Sequence, residues 1–272
     1  MSDGYTYRLG VLGAGAMGSA LLRGFLDKGV LTPDQVLLWE IDDARREAVC
    51  EQTGVKAAGG ARDLVSQCET ILVALKPQVL PEVLPPLQRG FHASQLVISI
   101  AAGVPLARLA EFLGETPSLV RVMPNVLCTV GESASAWAAD AALPAEQVAW
   151  VDKLLSSVGL ALRVEERLMD AVTGLSGSAP AFAAAFCEAL TDGGVAAGLP
   201  RGIAVELAAQ VLVGAGTWIR EHHAPAALKD LVTSPGGTTI AGLRALEAGG
   251  LRAATMEAVL AAAARSAELG RG

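Results

Sequence analysis

Between two segments of helical pattern, Thr233-Ser234-Pro235-Gly236-Gly237-Thr238-Thr239 gathers four hydroxyls and two glycines. A helix starting near Gly237 or Thr238 and running through TIAGLRALEAG would open with unpaired N–H groups. It would also carry the positive end of the helix dipole there. A small carboxylate suits such a place. Gly236 and Gly237 would let it approach closely, and Ser234, Thr238 and Thr239 would donate hydrogen bonds. An ordinary helix cap needs one hydroxyl, so this surplus points to binding. The stretch is not a P-loop, because the G-x-x-x-x-G-K-[ST] spacing and its lysine are missing.

A second glycine cluster, LGVLGAGAMGSALLRGF, follows the first strand-like run. Gly13, Gly15 and Gly18 have the G-x-G-x-x-G spacing that turns tightly, admits a pyrophosphate and lets helix and strand pack. Glu40 ends the next strand, where a carboxylate accepts from adenosine ribose hydroxyls and repels a 2′-phosphate. Alone it favours NAD(H). Arg45 and Arg46 lie one to two turns on and could offset that preference, although a solvated helix face is their plainer reading, so NADH and NADPH both stay open. Lys76-Pro77 closes the strand-like TILVAL, at the sheet end where ligands collect. SIAAGVP ends the following strand in small residues, against which a flat ring could lie.

These residues need a frame. The first ~165 residues alternate short β-rich runs with helical patterns, the rhythm of a parallel sheet. Strands are expected at 8–13, 36–40, 70–75, 96–101, 119–123 and 160–165. Helices are expected over GSALLRGFLDKG, DARREAVCEQTG, RDLVSQC and AEQVAWVDKLLSSVG, with Asp42 or Asp43 capping the second. Gly29, Gly54 and Gly159 stand where helices commonly end. After Glu166 the pattern becomes alanine-rich helix, and Gly193 and Gly194 within it suggest close helix–helix contact. The fold expected is α/β, a Rossmann-type doubly wound, mostly parallel sheet followed by an all-helical domain. The domain limits are 1–165 and 166–272.

With 272 residues there is room for two modest domains, and a net charge of −7 opposes nucleic acid and anionic membrane surfaces. No uninterrupted apolar run reaches membrane-spanning length, and no secretory leader is visible. Cys50, Cys68, Cys128 and Cys187 are too scattered for a zinc site or a disulfide framework. Reduced thiols in the cytoplasm are expected, with no metal.

LKDLVTSPGGTTIAGLRALE resembles the signature of pyrroline-5-carboxylate reductases. The resemblance continues collinearly through LGAGAMGSAL, VALKP, SIAAGV, RVMPN, LLSSVG, DAVTGLSGSAPAF and DGGVAAGLPR. It implies hydride transfer from NADPH or NADH to the C=N bond of Δ1-pyrroline-5-carboxylate, the last step of proline synthesis. It also implies a helical domain that dimerises by interleaving, often within rings of dimers. Leu12, Gly13, Ala14, Gly15, Ala16, Met17 and Gly18 would hold the pyrophosphate. Ala74, Leu75, Lys76 and Pro77, with Ile100, Ala101 and Ala102, would line the rest of the cofactor. The substrate carboxylate would meet Ser234, Gly237, Thr238 and Thr239, with the Thr239 hydroxyl facing the ring nitrogen and Lys76 contributing electrostatically. Glu166 and Ser178 would lie near the substrate.

The chain departs from the family pattern at Ser178-Ala179-Pro180-Ala181-Phe182, at Ala61 near the adenosine ribose, and at Glu40. The last two bear on NADPH preference. β-Hydroxyacid dehydrogenases share the glycine start but use a lysine on the first long helix of their second domain. Here that helix contains none, and Lys229 is the only lysine after Lys153. Alcohol–ketone chemistry would lack its proton carrier. A reductase of a related cyclic imine and a non-catalytic nucleotide sensor are the alternatives retained.

Overall fold

The apolar runs at the chain start become β1 (Tyr7–Leu12), β2 (Val36–Trp39), β4 (Cys68–Val73), β5 (Leu96–Ser99) and β6 (Ser118–Met123). β3 (Lys56–Ala57), β7 (Ser133–Ala139) and β8 (Gly159–Arg163) complete one eight-stranded sheet in the order β3-β2-β1-β4-β5-β6-β7-β8. The computed structural model describes residues 4–140 and 142–270, so the outer limits expected for the two domains fall outside these residues.

All pairings are parallel except β6 with β7. Parallel strands covered on both faces read as continuous apolar runs, as β4 and β5 do. α1 (Ala16–Asp27) and α6 (Ala145–Ser156) cover one face, where Leu21, Leu22, Phe25, Val151 and Leu154 pack on Val11, Leu38, Ile98 and Trp137. α3 (Ala61–Gln67) and α5 (Leu106–Leu113) supply Leu64, Val65, Leu109 and Leu113 to the other, against Ile71, Val73, Val97 and Leu119. Both buried indoles find acceptors: Trp137 Nε1 donates to Asp152 Oδ1 (3.0 Å) and Trp150 Nε1 to Thr70 Oγ1 (3.0 Å).

α2 (Asp43–Thr53) is capped by Asp42, which accepts from Arg45 N–H, and ends at Gly54 in the left-handed conformation. The short α4 (Leu80–Val83) follows β4. Gly159 does not end a helix as expected. It opens β8, and a Cβ there would collide with the Ser133 backbone.

The chain forms two compact units. One joins the described residues up to Ser178 with those from Ala261 onward; the other is Ala179–Leu260. The segment 166–178 thus packs with the sheet. It includes α7 (Met169–Val172), whose Met169 is fully buried beside Ala136 and Ala138.

The second unit contains α8 (Ala179–Ala196), α9 (Arg201–His222), α10 (Pro225–Leu231), α11 (Thr238–Ala248) and the start of α12 (Leu251–Leu269). Among its described residues only Thr191, Ala204 and Ala208 are buried. A Cβ on Gly194 would lie 3.2 Å from Ala204 Cβ, so this glycine serves the expected close helix contact; Gly193 faces open space. Along α9, Ile203, Val205, Leu207, Val211 and Val213 are all exposed. α9 is long and apolar enough to cross a membrane by length and composition, although Glu206 and Gln210 interrupt its apolar run. Each such aliphatic side chain gains roughly 1.5–3 kcal/mol when fully buried, so the unit has a strong drive to cover this surface.

Cys68 lies at the base of the sheet, where burial, reinforced by the Asp63 carboxylate, pushes its thiol from 9.0 to about 12. The folded state therefore holds its proton while the unfolded thiol ionises, and the associated stability is full below pH 9 and lost as pH rises toward 12. The stability advantage of the parent over Cys68→Ala is expected to shrink by about 1.4 kcal/mol per pH unit across that interval. Chemical denaturation of both proteins from pH 8 to 11 measures it, and a pH-independent difference would contradict the burial argument.

Candidate active site

The sheet order reverses between β1 and β4, the place where open α/β sheets bind ligands. Leu12, Trp39, Val73 and Ser99 end neighbouring strands in register. Three loops therefore leave the same edge together: 13–18 after β1, Ala74–Pro77 after β4 and Ile100–Pro105 after β5. Backbone bonds extend the ladder into them, from Gly13 N–H to Trp39 O, Ala74 N–H to Leu12 O and Ile100 N–H to Val73 O.

The glycine spacing has a separate physical cause at each position. Gly13 has φ +104°, and a Cβ there would come within 2.7 Å of Ala74 O. On Gly18 a Cβ would strike Gly13 O and Ala74 Cβ, so the start of α1 rests directly on the sheet. At Gly15 a Cβ would meet nothing within 4 Å. The first and third glycines serve packing, while the second, the cap residue of α1, faces open space beside the helix's first N–H groups. These residues fit a dinucleotide pyrophosphate. Ala14 is buried, and Ala16 and Met17 form the first turn with Gly18.

Glu40 is 6% exposed and already engaged. Its Oε2 accepts from Ala14 N–H at 2.7 Å, and its Oε1 accepts from Asp42 N–H at 3.1 Å. The Arg45 guanidinium stands 3.7 Å from Oε1, and Arg46 donates to the Glu40 carbonyl at 2.8 Å. Glu40 thus ties the glycine loop to the end of β2. Of the two arginines only Arg45 approaches its carboxylate, whereas Arg46 pairs with Asp43.

Lys76 is exposed and begins the single turn Pro77–Val79. Ala74 and Leu75 are half-buried, as are Ile100 and Ala102, while Ala101 is buried. Among the described residues no cluster of His, Cys, Asp and Glu could hold a metal.

In the second unit, α11 starts at Thr238 with Gly237 as its cap residue. Gly236 takes φ +68°, and Gly237 N–H donates to Ser234 O at 3.1 Å, forming a tight turn. A Cβ on Gly237 would collide with Ser234 Oγ, so this hydroxyl sits against the helix start. Ser234, Gly237, Thr238 and Thr239 are therefore gathered around one set of leading N–H groups. Ser234 and Thr238 are exposed, and Thr239 is half-buried.

Glu166 and Ser178 belong to the first unit. Glu166 Oε1 accepts from Leu106 N–H at 2.6 Å. Ser178 follows a π-helical turn over Thr173–Gly177, and its N–H donates to Thr173 O. Such turns are frequent at functional sites. Sequence reasoning assigned no role to Arg121, Asn125 or Asp170. Arg121 is buried with Glu166 and Asp170 as its ion-pair partners, and Asn125 Nδ2 donates to Ser176 O at 3.0 Å. The available signal was RVMPN, in which an arginine sits inside an otherwise apolar strand.

Fold and glycine loop define an NAD(P)-dependent oxidoreductase of the Rossmann type. Residues 8–103 match the family "NADP oxidoreductase coenzyme F420-dependent", and residues 166–269 match "Pyrroline-5-carboxylate reductase dimerisation". The chain is 41% identical over 265 residues to a pyrroline-5-carboxylate reductase of Arabidopsis thaliana, covering 97% of this chain and 96% of the relative. It is 42% identical to one from Methanosarcina acetivorans, covering 97% and 98%. The crystal structure of a Plasmodium falciparum pyrroline carboxylate reductase with NADP bound superimposes with a TM-score of 0.88 at 30% identity, covering 98% of this chain and 100% of that one. The chain belongs to the pyrroline-5-carboxylate reductase family.

Glu40→Gln keeps an acceptor for Ala14 N–H and removes the charge that opposes a 2′-phosphate. The ratio of kcat/KM for NADH to that for NADPH is expected to fall about tenfold, or ~1.4 kcal/mol of discrimination. Steady-state kinetics with both cofactors measure it, and an unchanged ratio would remove Glu40 from cofactor choice.

Proposed function

We propose that the protein reduces the C=N bond of Δ1-pyrroline-5-carboxylate with NADPH or NADH, giving L-proline. The observation that carries this reading is the start of α11. A glycine-capped helix with Ser234 against its first turn and Thr239 at its second position suits a small carboxylate next to a polar ring atom. Residues 1–165 bind the nucleotide. Residues 166–272 dimerise and bind substrate.

The N–H groups of Thr238 and Thr239, with Ser234 Oγ, hold the substrate carboxylate, and Gly237 permits its close approach. Thr239 Oγ1 bonds the ring nitrogen and fixes which carbon faces the cofactor. Lys76, at the strand end, adds positive potential, and Glu166 and Ser178 are assigned to substrate binding. The reduced nicotinamide supplies the hydride. An iminium carbon is already electrophilic, so the chain's main contribution is orientation, and effective molarity supplies much of the rate. Thr239, or a water that it holds, passes the proton that ends on nitrogen.

A second copy of the chain covers the apolar faces of α9, forming a homodimer by interleaved helices and, further, a ring of dimers. The family match over 166–269 supports this occupant, and so does the near absence of buried side chains in the second unit. The cysteines remain free thiols, which fits a cytoplasmic enzyme.

Loss of reduced-nicotinamide absorbance with pyrroline-5-carboxylate tests the reaction, and cofactor binding without turnover would defeat it. Thr239→Val should lower kcat by about a hundredfold with cofactor affinity intact, the scale of a lost orienting contact. A variant as fast as the parent would clear Thr239 of the nitrogen contact. Val211→Glu, which puts a charge on the exposed face of α9, should weaken self-association on the order of a hundredfold. Sedimentation velocity reads this, and a monomeric parent would rule out the dimer.

A further inference from the structure

Arg121 lies in the middle of the sheet, paired in register with Ser99 of β5 and Ala138 of β7. It is 5% exposed. A guanidinium so placed is costly unless partners surround it. Its Nη1 stands 3.6 Å from Glu166 Oε1 and its Nη2 3.5 Å from Asp170 Oδ1. Neither carboxylate stops there. Glu166 Oε1 takes Leu106 N–H at 2.6 Å, and Asp170 Oδ1 takes the Ser266 hydroxyl at 2.7 Å.

Both secondary contacts bracket one piece of backbone, Ile100–Pro105. Leu106 is the first residue of α5, whose cap residue, Pro105, has no side-chain acceptor to offer. Glu166 caps the helix from a distant part of the chain instead. Ser266 sits in the last turns of α12, and that helix end packs on the middle of the same loop. Gly103, at φ +78°, leaves room there: a Cβ would lie 3.2 Å from both Leu269 Cβ and Ser266 O. A Cβ on Gly270 would in turn strike Gly103 O. The loop is thus held at its end through Glu166 and from above by α12, and among the described residues Arg121 is the cation shared by both arms.

We propose that Arg121 is a positioning residue for hydride transfer. By fixing Glu166 on Leu106 and Asp170 on Ser266, it sets the backbone of Ile100–Pro105 against which the nicotinamide ring lies. This rests on the assignment of Ile100–Ala102 to the cofactor under the reductase reading. Glu166 then acts through the loop as well as near the substrate. Displacement of a reacting group by about 1 Å costs on the order of a hundredfold in rate, so modest loosening of the loop would be visible in turnover.

Arg121→Met removes the charge while keeping an unbranched apolar stem. The Glu166 and Asp170 side chains are 34% and 39% exposed, so water can satisfy them once the guanidinium is gone. Two readouts are taken. In the cofactor-free protein, amide exchange of the segment 100–106 should rise at least tenfold, with the rest of the sheet unchanged. In the complete reaction, kcat should fall about ten- to a hundredfold while NAD(P)H dissociation constants move less than about threefold. The primary isotope effect from 4-deuterated cofactor should rise. Arg8→Met is the control; it removes a guanidinium stacked 4.0 Å over Trp150 at the opposite end of the sheet, and should leave kcat and the isotope effect unchanged.

Local exchange that rises with unchanged kcat and isotope effect would overturn the proposal, leaving Arg121 a structural residue. So would a lowered kcat with unchanged exchange in 100–106. If the parent itself does not reduce the imine, the reductase reading fails, while the exchange measurement still decides whether Arg121 holds the loop. Should Arg121→Met not fold, Arg121→Lys and Ser266→Ala take its place, with the same signs and about threefold effects on kcat; no change in either variant overturns the proposal.

Discussion

Of the helix starts whose cap residue is glycine, which include α3 with Gly60, two carry the proposed anion sites. α1 is capped by Gly15 and α11 by Gly237, and neither has a side chain to occupy the leading N–H groups. α2 shows the contrast, because Asp42 there takes the N–H of Arg45 and closes the end. A protein of net charge −7 that handles anionic cofactors and an anionic substrate needs local positive potential. Backbone N–H groups provide part of it, and the helix dipole contributes about half a charge at each start. The glycines are therefore not spare flexibility. They leave the leading N–H groups of both helices uncovered.

The second unit obeys a different constraint. A helical segment that buries little besides Thr191, Ala204 and Ala208 has no hydrophobic core large enough to offset the entropy of ordering it. Its small residues let α8 and α9 approach closely, but closeness between alanines removes little apolar area from water. The area that could stabilise the unit lies on the exposed aliphatic side chains of α9, α11 and α12. Folding and association are consequently one problem for this part of the chain.

Much of the frame was legible in the sequence, because continuous apolar runs ending in glycine or Lys-Pro admit few other readings. The loops that leave β1, β4 and β5 were placed correctly, and the helix at Thr238 began where its hydroxyls suggested. β7 was not foreseen. SASAWAA is rich in alanine and serine, which have little strand preference, and only pairing with β6 and β8 makes it a strand. β3 is two residues long, too short for any periodicity. RVMPN marked Arg121 as a charge in an apolar strand but not its role, since its partners come from Glu166, Asp170 and, through the latter, Ser266. Long-range ion pairs leave no spacing in the sequence to read.

The carboxylates near the cofactor edge follow one rule that also explains the spare chemistry. Glu40 accepts from Ala14 N–H, Asp42 from Arg45 N–H and Glu166 from Leu106 N–H. Each is committed to holding backbone at the mouth of a loop or the start of a helix. A carboxylate so engaged is occupied by backbone, whereas a proton carrier must be free to reach the reacting atoms. A ketone or alcohol substrate would need such a carrier. An imine asks less, because a hydroxyl or a water can pass the one proton its nitrogen needs and the iminium carbon is then electrophilic. Carboxylates committed in this way suit a reaction that asks chiefly for geometry.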